Sequence, residues 1–279
     1  MRWNRCIAAL LPVWLVASDA FGCPKVSGLP DFNCDGQVRV VVLGDSLVSG
    51  YGDSDNGNKG GYVLRAQASL PQATVENFGI PGLDTVQLLL NLNKAFRGTS
   101  YRALATALDE ADLVVLDIGR NDRWFFGVPL QTFRRIKRAE ALIKNRVAER
   151  AGNAPLVVAA VLMLPNRGSQ GPWVLELNQL LEKSDSPTAP ADLRFDQVSK
   201  RLIGADQIHP TPRGYKALAG VFVSYIKKLY PSHVRTLRPD LDEDGLYDLF
   251  EPSVFGTDPN DPDSDDDGLL DGDDPDSFS

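Results

Sequence analysis

The chain has 279 residues, of which 43% are hydrophobic and 24% are charged, a balance that is ordinary for a globular protein. This composition excludes a wholly disordered chain, a collagen-like fibre and a multi-span membrane protein. The net charge of −8 is divided along the chain, because residues 239–279 hold 16 Asp and Glu without any Lys or Arg, which leaves +8 for the remainder. The asymmetry predicts a mildly basic body joined to an acidic module with a separate role.

The N-terminus has the pattern of a secretory signal peptide. Two arginines precede an apolar run at residues 6–17, and small residues up to Ala20 suit a cleavage site. The run is shorter than the ~20 residues that a membrane-spanning helix needs. A buried N-terminal helix and a lipoprotein signal at Cys23 are the alternatives. We expect residues 1–20 to be removed, so that the mature chain is secreted, periplasmic or on the cell surface and has no membrane span.

Two cysteines, Cys23 and Cys34, would remain after cleavage. An even pair of cysteines in an exported chain is typical of a disulfide, here within a turn-rich N-terminal loop at residues 21–35. Closing so short a loop contributes about 3 kcal/mol in the chain-entropy description of disulfides. Two free thiols are the alternative, which an oxidising compartment disfavours.

Strand-like and helix-like segments alternate through the body. Continuous apolar runs, typical of strands buried on both faces, lie at residues 37–43, 73–78, 112–118, 155–164 and 193–198. Helical spacing of apolar residues lies at 61–70, 85–96, 130–151, 173–183 and 213–230. The alternation predicts a three-layer α/β/α domain over residues 36–231, with a mostly parallel sheet of about five strands. In such sheets, ligands bind outside the carboxyl ends of the strands.

Four short blocks carry polar residues or glycines in the loops of this domain. The first run is followed by Gly44-Asp45-Ser46-Leu47, the second by a loop from Gly79 to Gly82, and the third by Gly119-Arg120-Asn121-Asp122; Asp206 stands three residues before His209. Taken alone, each block has a plain structural interpretation as a helix cap or a turn. Together they supply a serine hydroxyl, an imidazole that can activate it near neutral pH, and a carboxylate that can orient the imidazole.

In this order the four blocks closely resemble those of the SGNH (GDSL) hydrolase family, over residues 38–230. The resemblance implies that Ser46 is the nucleophile, that His209 is the base and that Asp206 orients it, without a cofactor for catalysis. It also implies an oxyanion hole formed by the backbone N–H groups of Ser46 and Gly82 and the side chain of Asn121. Gly79 is the alternative to Gly82.

The substrate is predicted less sharply than the chemistry. Trp124, Phe125 and Phe126 follow the third block, and we expect one or two of them in the core and the remainder in an acyl or aryl pocket. Residues 164–166 resemble the bacterial arylesterase, thioesterase and lysophospholipase branch, which implies small-molecule or lipid esters. A carbohydrate O-acetylesterase acting on polysaccharide is the runner-up, and a non-catalytic calcium-dependent surface-attachment protein is the alternative from another class. Nucleic-acid binding lacks support, because basic residues are not interleaved with aromatic ones.

The acidic tail at residues 240–279, after a linker at 232–239, contains two copies of a calcium-loop pattern. Each copy has acidic residues at alternate positions followed by glycine; the predicted ligands are Asp240, Asp242, Asp244, Asp248, Glu251, Asp263, Asp265, Asp267, Asp271 and Asp274. The tail resembles bacterial thrombospondin type 3 calcium repeats, which implies bound Ca²⁺, little regular secondary structure and contact with a cell-surface component. A disordered acidic tail is the alternative.

Overall fold

A five-stranded, all-parallel sheet organises the body of the computed structural model. The structure describes residues 26–29, 31, 33, 35–125, 127–151, 157–164, 171–184, 193–228, 257–258, 260–264 and 270–271. The strands are β1 (Arg39–Gly44), β2 (Thr74–Gly79), β3 (Leu113–Asp117), β4 (Val157–Leu162) and β5 (Leu193–Arg194). They lie in the order β2-β1-β3-β4-β5, and each neighbouring pair is parallel. The predicted α/β class and strand number are therefore confirmed.

The helices of the described segments connect the strands and cover both faces of the sheet. They are α1 (Ser46–Ser49), α2 (Gly61–Ser69), α3 (Thr85–Phe96), α4 (Arg102–Asp109), α5 (Asp122–Phe125), α6 (Pro129–Ala151), α7 (Gly171–Ser184) and α8 (Pro212–Lys228). Pro212 occupies the first position of α8, where its missing N–H leaves no hydrogen bond unmade. The five predicted helices are all present, with ends that differ by one or two residues at most.

The three layers follow from the alternation of side chains along the central strands. On β1, Val40 and Val42 join the apolar cluster that contains α2 and α8, whereas Val41 and Leu43 join the cluster that contains α3, α4, α6 and α7. All four valine and leucine side chains are almost fully buried. Full burial of such a side chain contributes about 1.5–3 kcal/mol each. The continuous apolar run in the sequence therefore reflects a strand covered on both faces.

Two segments differ from the sequence prediction. The predicted strand at 193–198 is a strand only at Leu193–Arg194, and then becomes a 3₁₀ turn at Phe195–Gln197. The turn directs the ring of Phe195 into the core, where it lies edge-on to Tyr62 with ring centroids 4.9 Å apart. Helix α4 was not predicted, although its buried residues Leu104, Ala107 and Leu108 have helical i, i+3, i+4 spacing.

Several predicted features lie outside the described residues. These are the signal peptide at 1–20, the linker at 232–239, and both members of the proposed disulfide, Cys23 and Cys34. Across the described ranges, none of the helices has both the length and the apolar character needed to cross a membrane.

Candidate active site

The candidate nucleophile lies where β1 turns sharply into α1. Asp45 caps this short helix by accepting a hydrogen bond from the Leu47 N–H at 3.0 Å, and Ser46 is the first helical residue. A Cβ atom on Gly44 would lie 2.2 Å from the Asp117 carbonyl oxygen, so the turn can approach β3 this closely only with glycine. Ser46 is 8% exposed, which leaves its hydroxyl at the floor of the site. The Ser46 N–H, at the helix start, has no carbonyl partner within the helix.

A hydrogen-bonded chain connects Ser46 to the loop before α8. The Ser46 Oγ lies 2.8 Å from His209 Nε2, and His209 Nδ1 lies 2.7 Å from Asp206 Oδ2. Ser46 and His209 are 163 residues apart in sequence. The structure therefore brings together the three residues that the first and last sequence blocks contribute. With the proton on Nδ1 facing the carboxylate, Nε2 is free to accept the serine proton.

The loop that carries His209 is held by local hydrogen bonds. Asp206 Oδ1 accepts the backbone N–H groups of Ile208 and His209, each at 3.0 Å, and the Gly204 N–H donates to the His209 carbonyl at 2.7 Å. Burial raises the pKa of Asp206, but the bonds from Ile208 and His209 together outweigh it, and the net effect lowers the pKa. Asp206 is therefore ionised beside the imidazole at neutral pH.

Tyr51 is a site residue to which the sequence analysis gave no role. Its ring centroid lies 4.7 Å from that of His209, at a tilt of 53°, and the residue is 53% exposed. The backbone of Tyr51 is fixed at both ends, since its N–H donates to the Ser46 carbonyl at 2.9 Å and its carbonyl accepts the Tyr215 hydroxyl at 2.6 Å. The available signal in the sequence was an aromatic residue between two glycines, Gly50 and Gly52, shortly after the first block.

The two glycines of the second block have different surroundings. The Gly79 N–H already donates to Asn77 Oδ1 at 2.9 Å, and a Cβ atom there would lie 2.2 Å from the Ser49 backbone nitrogen. Gly82 has φ +80°, and the space beside its Cα is open for 4 Å. The Gly79 position therefore permits close packing of β2 on α1, and the Gly82 position is the one open to a ligand.

Asn121 belongs to the third block, in the loop that follows the end of β3 at Asp117. Its Nδ2 donates to the Leu83 carbonyl at 2.8 Å, which uses one of the two amide hydrogens and fixes the orientation of the side chain. Leu83 is the neighbour of Gly82, so this bond joins the two loops that carry the candidate oxyanion donors. The second amide hydrogen is the one that a bound anion would use.

Asp122, the last residue of the third block, ties the same two loops together more firmly. Its buried carboxylate accepts the Thr85 N–H at 3.0 Å and the Thr85 hydroxyl. Burial raises the pKa of Asp122, while the bonds from Thr85 act in the opposite direction. Asp122 thus fixes the start of α3 relative to Asn121, a role that sequence analysis did not assign.

A buried ionic cluster lies beneath the nucleophile. Arg120 Nη1 contacts Asp45 Oδ1 and Oδ2 at 3.1 and 3.2 Å, and its Nη2 contacts Asp117 Oδ1 at 3.1 Å. The Tyr62 hydroxyl donates to Asp117 Oδ2 at 3.3 Å. Burial raises the pKa of Asp45 to about 6, with Arg120 opposing and Asp117 reinforcing the shift. Removal from water also raises the pKa of Tyr62.

The aromatic residues after the third block are only partly described. Trp124 is on α5 and is 64% exposed, so it is not one of the core residues that were expected there. The side chain of Phe125 and the whole of Phe126 lie outside the described residues. The assignment of this trio to a substrate pocket stays a prediction.

Two of the ten predicted calcium ligands lie in the described part of the tail. Asp271 is buried, and its Oδ1 and Oδ2 accept the Ser264 N–H at 2.9 Å and the Ser264 hydroxyl at 2.6 Å. Asp263 precedes Ser264, and the Asp271 N–H donates to the Pro262 carbonyl at 2.9 Å, so the two described ligand candidates lie on segments that contact each other. The other eight, Asp240, Asp242, Asp244, Asp248, Glu251, Asp265, Asp267 and Asp274, lie outside the described residues.

Comparison with known proteins identifies a family whose sequence profile spans all four blocks. The sequence profile of the GDSL-like Lipase/Acylhydrolase family matches residues 42–217. A lipolytic protein of the G-D-S-L family from Veillonella parvula has a similar structure, with a TM-score of 0.54 and 18% identity over 69% of this chain and 100% of that one. A carbohydrate acetylesterase from Sinorhizobium meliloti also has a similar structure, with a TM-score of 0.55 and 16% identity over 70% of this chain and 100% of that one. At these identities the similarity extends to the fold alone. The search of curated proteins found no match.

Proposed function

Because the chain belongs to the GDSL-like lipase/acylhydrolase family, we propose that it is a serine esterase that hydrolyses carboxylic esters through Ser46, His209 and Asp206. The observation that carries the proposal is the continuous chain of 2.8 and 2.7 Å contacts from the serine hydroxyl through the imidazole to the carboxylate. A serine hydroxyl is a weak nucleophile until an adjacent base accepts its proton, and this geometry supplies that base.

The proposed reaction has two halves that share one histidine. Ser46 Oγ attacks the ester carbonyl carbon as its proton moves to His209 Nε2, and the carbonyl oxygen becomes an oxyanion. The intermediate collapses when the ester C–O bond breaks and His209 returns the proton to the leaving alcohol, which leaves an acyl-enzyme. Water then attacks the acyl carbon in the same way, releases the acid and restores the serine. Asp206 stabilises the imidazolium and keeps its own charge throughout.

Three donors are proposed for the oxyanion: the backbone N–H groups of Ser46 and Gly82 and the second amide hydrogen of Asn121. Gly82 is favoured over Gly79 in this role because the Gly79 N–H already donates a hydrogen bond to Asn77 Oδ1. The bond from Asn121 to the Leu83 carbonyl fixes the amide before substrate arrives. Donors that are oriented in advance stabilise the transition state without reorganising, and each is typically worth about 3–4 kcal/mol.

For the substrate we propose an acyl or aryl ester of a small molecule or lipid. The support is two exposed aromatic rings, that of Tyr51 beside His209 and that of Trp124 in the segment after the third block. Exposed large aromatic residues at a site supply contact area for an apolar group. Phe125 and Phe126 remain candidates for the same pocket.

A carbohydrate O-acetylesterase is the second candidate. Its support is the similar fold of the carbohydrate acetylesterase from Sinorhizobium meliloti, and an exposed ring such as that of Tyr51 can pack against the apolar face of a sugar. A panel of p-nitrophenyl acyl esters, acyl-CoA thioesters and acetylated oligosaccharides distinguishes the two by kcat/KM. A Ser46→Ala variant, run in parallel, tests the esterase proposal itself, and unchanged hydrolysis by that variant would remove it.

For the N-terminal segment and the tail, we propose that the protein is exported and that its tail binds Ca²⁺ and contacts a cell-surface component. Its support is the signal-peptide pattern at 1–20 and the two calcium-loop patterns after residue 239. Carboxylate and carbonyl oxygens of the kind these loops provide are the ligands that Ca²⁺ prefers. Peptide mapping under non-reducing conditions tests the accompanying Cys23–Cys34 disulfide, and two free thiols or a lipidated Cys23 would contradict it.

A further inference from the structure

The proposed nucleophile and the proposed side-chain oxyanion donor lie in loops that follow different strands. Ser46 follows β1 and Asn121 follows β3, and these strands are neighbours with Gly44 aligned with Asp117. The oxyanion forms on the carbon that is bonded to Ser46 Oγ, and the Asn121 amide has to meet it at hydrogen-bond distance. Catalysis therefore depends on how accurately the two loops are aligned across the sheet.

One buried side chain spans these two loops. Arg120 immediately precedes Asn121, and its guanidinium contacts both carboxylate oxygens of Asp45, the residue immediately before Ser46. Its other terminal nitrogen contacts Asp117, the last residue of β3. Arg120 is 2% exposed, and both carboxylates are fully buried. The backbone adds one weaker link, from the Asp45 N–H to the Asp117 carbonyl at 3.4 Å.

We propose that Arg120 is a positioning residue that holds the turn carrying Ser46 and the loop carrying Asn121 in a fixed relative position. The inference rests on the proposed esterase function, and specifically on the roles of Ser46 and Asn121. The planar guanidinium fork is suited to this task because it holds two carboxylates in fixed directions. A lysine ammonium at the same place is a single point charge and cannot hold both carboxylates in the same geometry.

Stability alone does not account for this cluster. Desolvation of three charges is costly, and buried ion pairs can often be replaced by apolar residues of similar volume with neutral or favourable effect. The cost is visible in the pKa of Asp45, which burial raises to about 6 even with Arg120 in contact. The charged groups that face Asp45 are Arg120 and Asp117, with Tyr62 behind Asp117. A costly cluster that contacts the residue before the nucleophile is better explained by alignment of the site.

The first test is Arg120→Lys, with Arg146→Lys as the matched control. Arg146 makes a similar two-point contact with Asp109, through Nε and Nη2 at 3.1 and 3.3 Å, between α6 and α4. We expect Arg120→Lys to lower kcat about 10–100-fold on a p-nitrophenyl ester, with KM changed less than about threefold, because small misplacements of reacting groups have effects of this size. Arg146→Lys should stay within about twofold of the wild type in both constants. A folded Arg120→Lys with wild-type kcat would overturn the proposal.

A double-mutant cycle with Asn121→Ala separates positioning from general structure. If Arg120 acts through alignment with Asn121, the fold-loss from Arg120→Lys should shrink at least about fivefold in the Asn121→Ala background. An equal fold-loss in both backgrounds would mean that Arg120 acts elsewhere, and would overturn the proposal. If circular dichroism shows that Arg120→Lys does not fold, Asp117→Asn takes its place in the same cycle, with the same criteria.

Failure of the proposed esterase function and failure of the positioning role of Arg120 give different results. If Ser46→Ala keeps the wild-type turnover, the esterase mechanism falls whatever Arg120 does. If Ser46→Ala is inactive while the Arg120 and Asp117 variants retain wild-type kcat, only the positioning role is lost.

Discussion

The two ends of the hydrogen-bonded chain at the site are held in opposite ways. Ser46 follows Asp45, a fully buried carboxylate that is ion-paired to Arg120. At the other end, the side chain of Asp206 is 46% exposed and is held by backbone N–H groups of its own loop. Water can replace a lost partner at the exposed end, whereas at the buried end a lost partner leaves an uncompensated charge. We therefore expect the stability of the fold to tolerate change at Asp206 better than change in the buried cluster beside Ser46.

The largest effect should follow from removing the nucleophile or the base. Ser46→Ala and His209→Ala should each lower kcat by about 10⁴-fold or more, because neither half of the reaction can then proceed by the proposed route. Hydrolysis of p-nitrophenyl acetate measures the loss, and far-ultraviolet circular dichroism checks that the sheet is retained. Substantial turnover in a folded Ser46→Ala variant would contradict the role of the serine.

Loss of the oxyanion donor should come next. Asn121→Ala should lower kcat by about 10²–10³-fold with a smaller change in KM, since the donor acts mainly in the transition state. Asn91→Ala, at a half-buried position on α3, is the matched control and should have little effect. A change confined to KM would indicate that Asn121 binds the ground state instead.

Asp206→Asn should have a smaller effect than either change at Ser46 or His209. Asn keeps an oxygen for the Ile208 and His209 N–H groups, and the exposed position lets water approach the imidazole. A buried aspartate in this role is worth about 10⁴-fold in kcat, and because water can reach the exposed Asp206 position we expect a smaller fall, of about 10²-fold. A loss as large as that of His209→Ala would show that the exposed end is as constrained as the buried end.

The buried end should also be visible in the pH dependence of stability. The pKa of Asp45 is raised to about 6 in the folded protein, so the Asp45 carboxyl binds its proton more tightly in the folded protein than in the unfolded chain. Its contribution to stability is therefore fully present below about pH 4 and is lost as the pH rises through 6. Asp45→Asn removes this dependence but keeps an acceptor for the Leu47 N–H.

Urea unfolding at pH 4 and pH 7 measures the effect of Asp45→Asn. Between pH 4 and pH 7 the wild type should lose stability that the variant keeps. The free energy of unfolding of the variant minus that of the wild type should therefore rise by on the order of 1–3 kcal/mol from pH 4 to pH 7. An unchanged difference at the two pH values would show that Asp45 does not titrate in this range.

The smallest effect on activity should come from the tail. All proposed catalytic residues lie before Tyr215, so a chain ending at residue 238 should keep kcat within about twofold. Calorimetry should detect Ca²⁺ binding to the full chain and none to the shortened one, because the carboxylates that repel one another are in the tail. Equal heats for the two chains would contradict a calcium site in the tail.

The sequence alone was sufficient to predict the fold class and the residues of the proposed reaction. Apolar runs alternating with helical patterns predict parallel strands, and the carboxyl ends of parallel strands meet at one edge. That rule places Ser46 and Asn121 at the same edge of the sheet without knowledge of the strand order. The resemblance of the four blocks to a known family added His209 and Asp206, which the structure places in contact with Ser46 across 163 residues.

Tertiary structure decided the features that depend on which elements are neighbours. Nothing in the sequence pairs Arg120 with Asp45 and Asp117, and the three form a buried cluster only because β1 and β3 are adjacent. The choice between Gly79 and Gly82 likewise depends on a bond from Asn77 that sequence spacing does not specify. Local patterns predict which residues are strands and helices, whereas burial and pairing of polar groups arise from packing between distant segments.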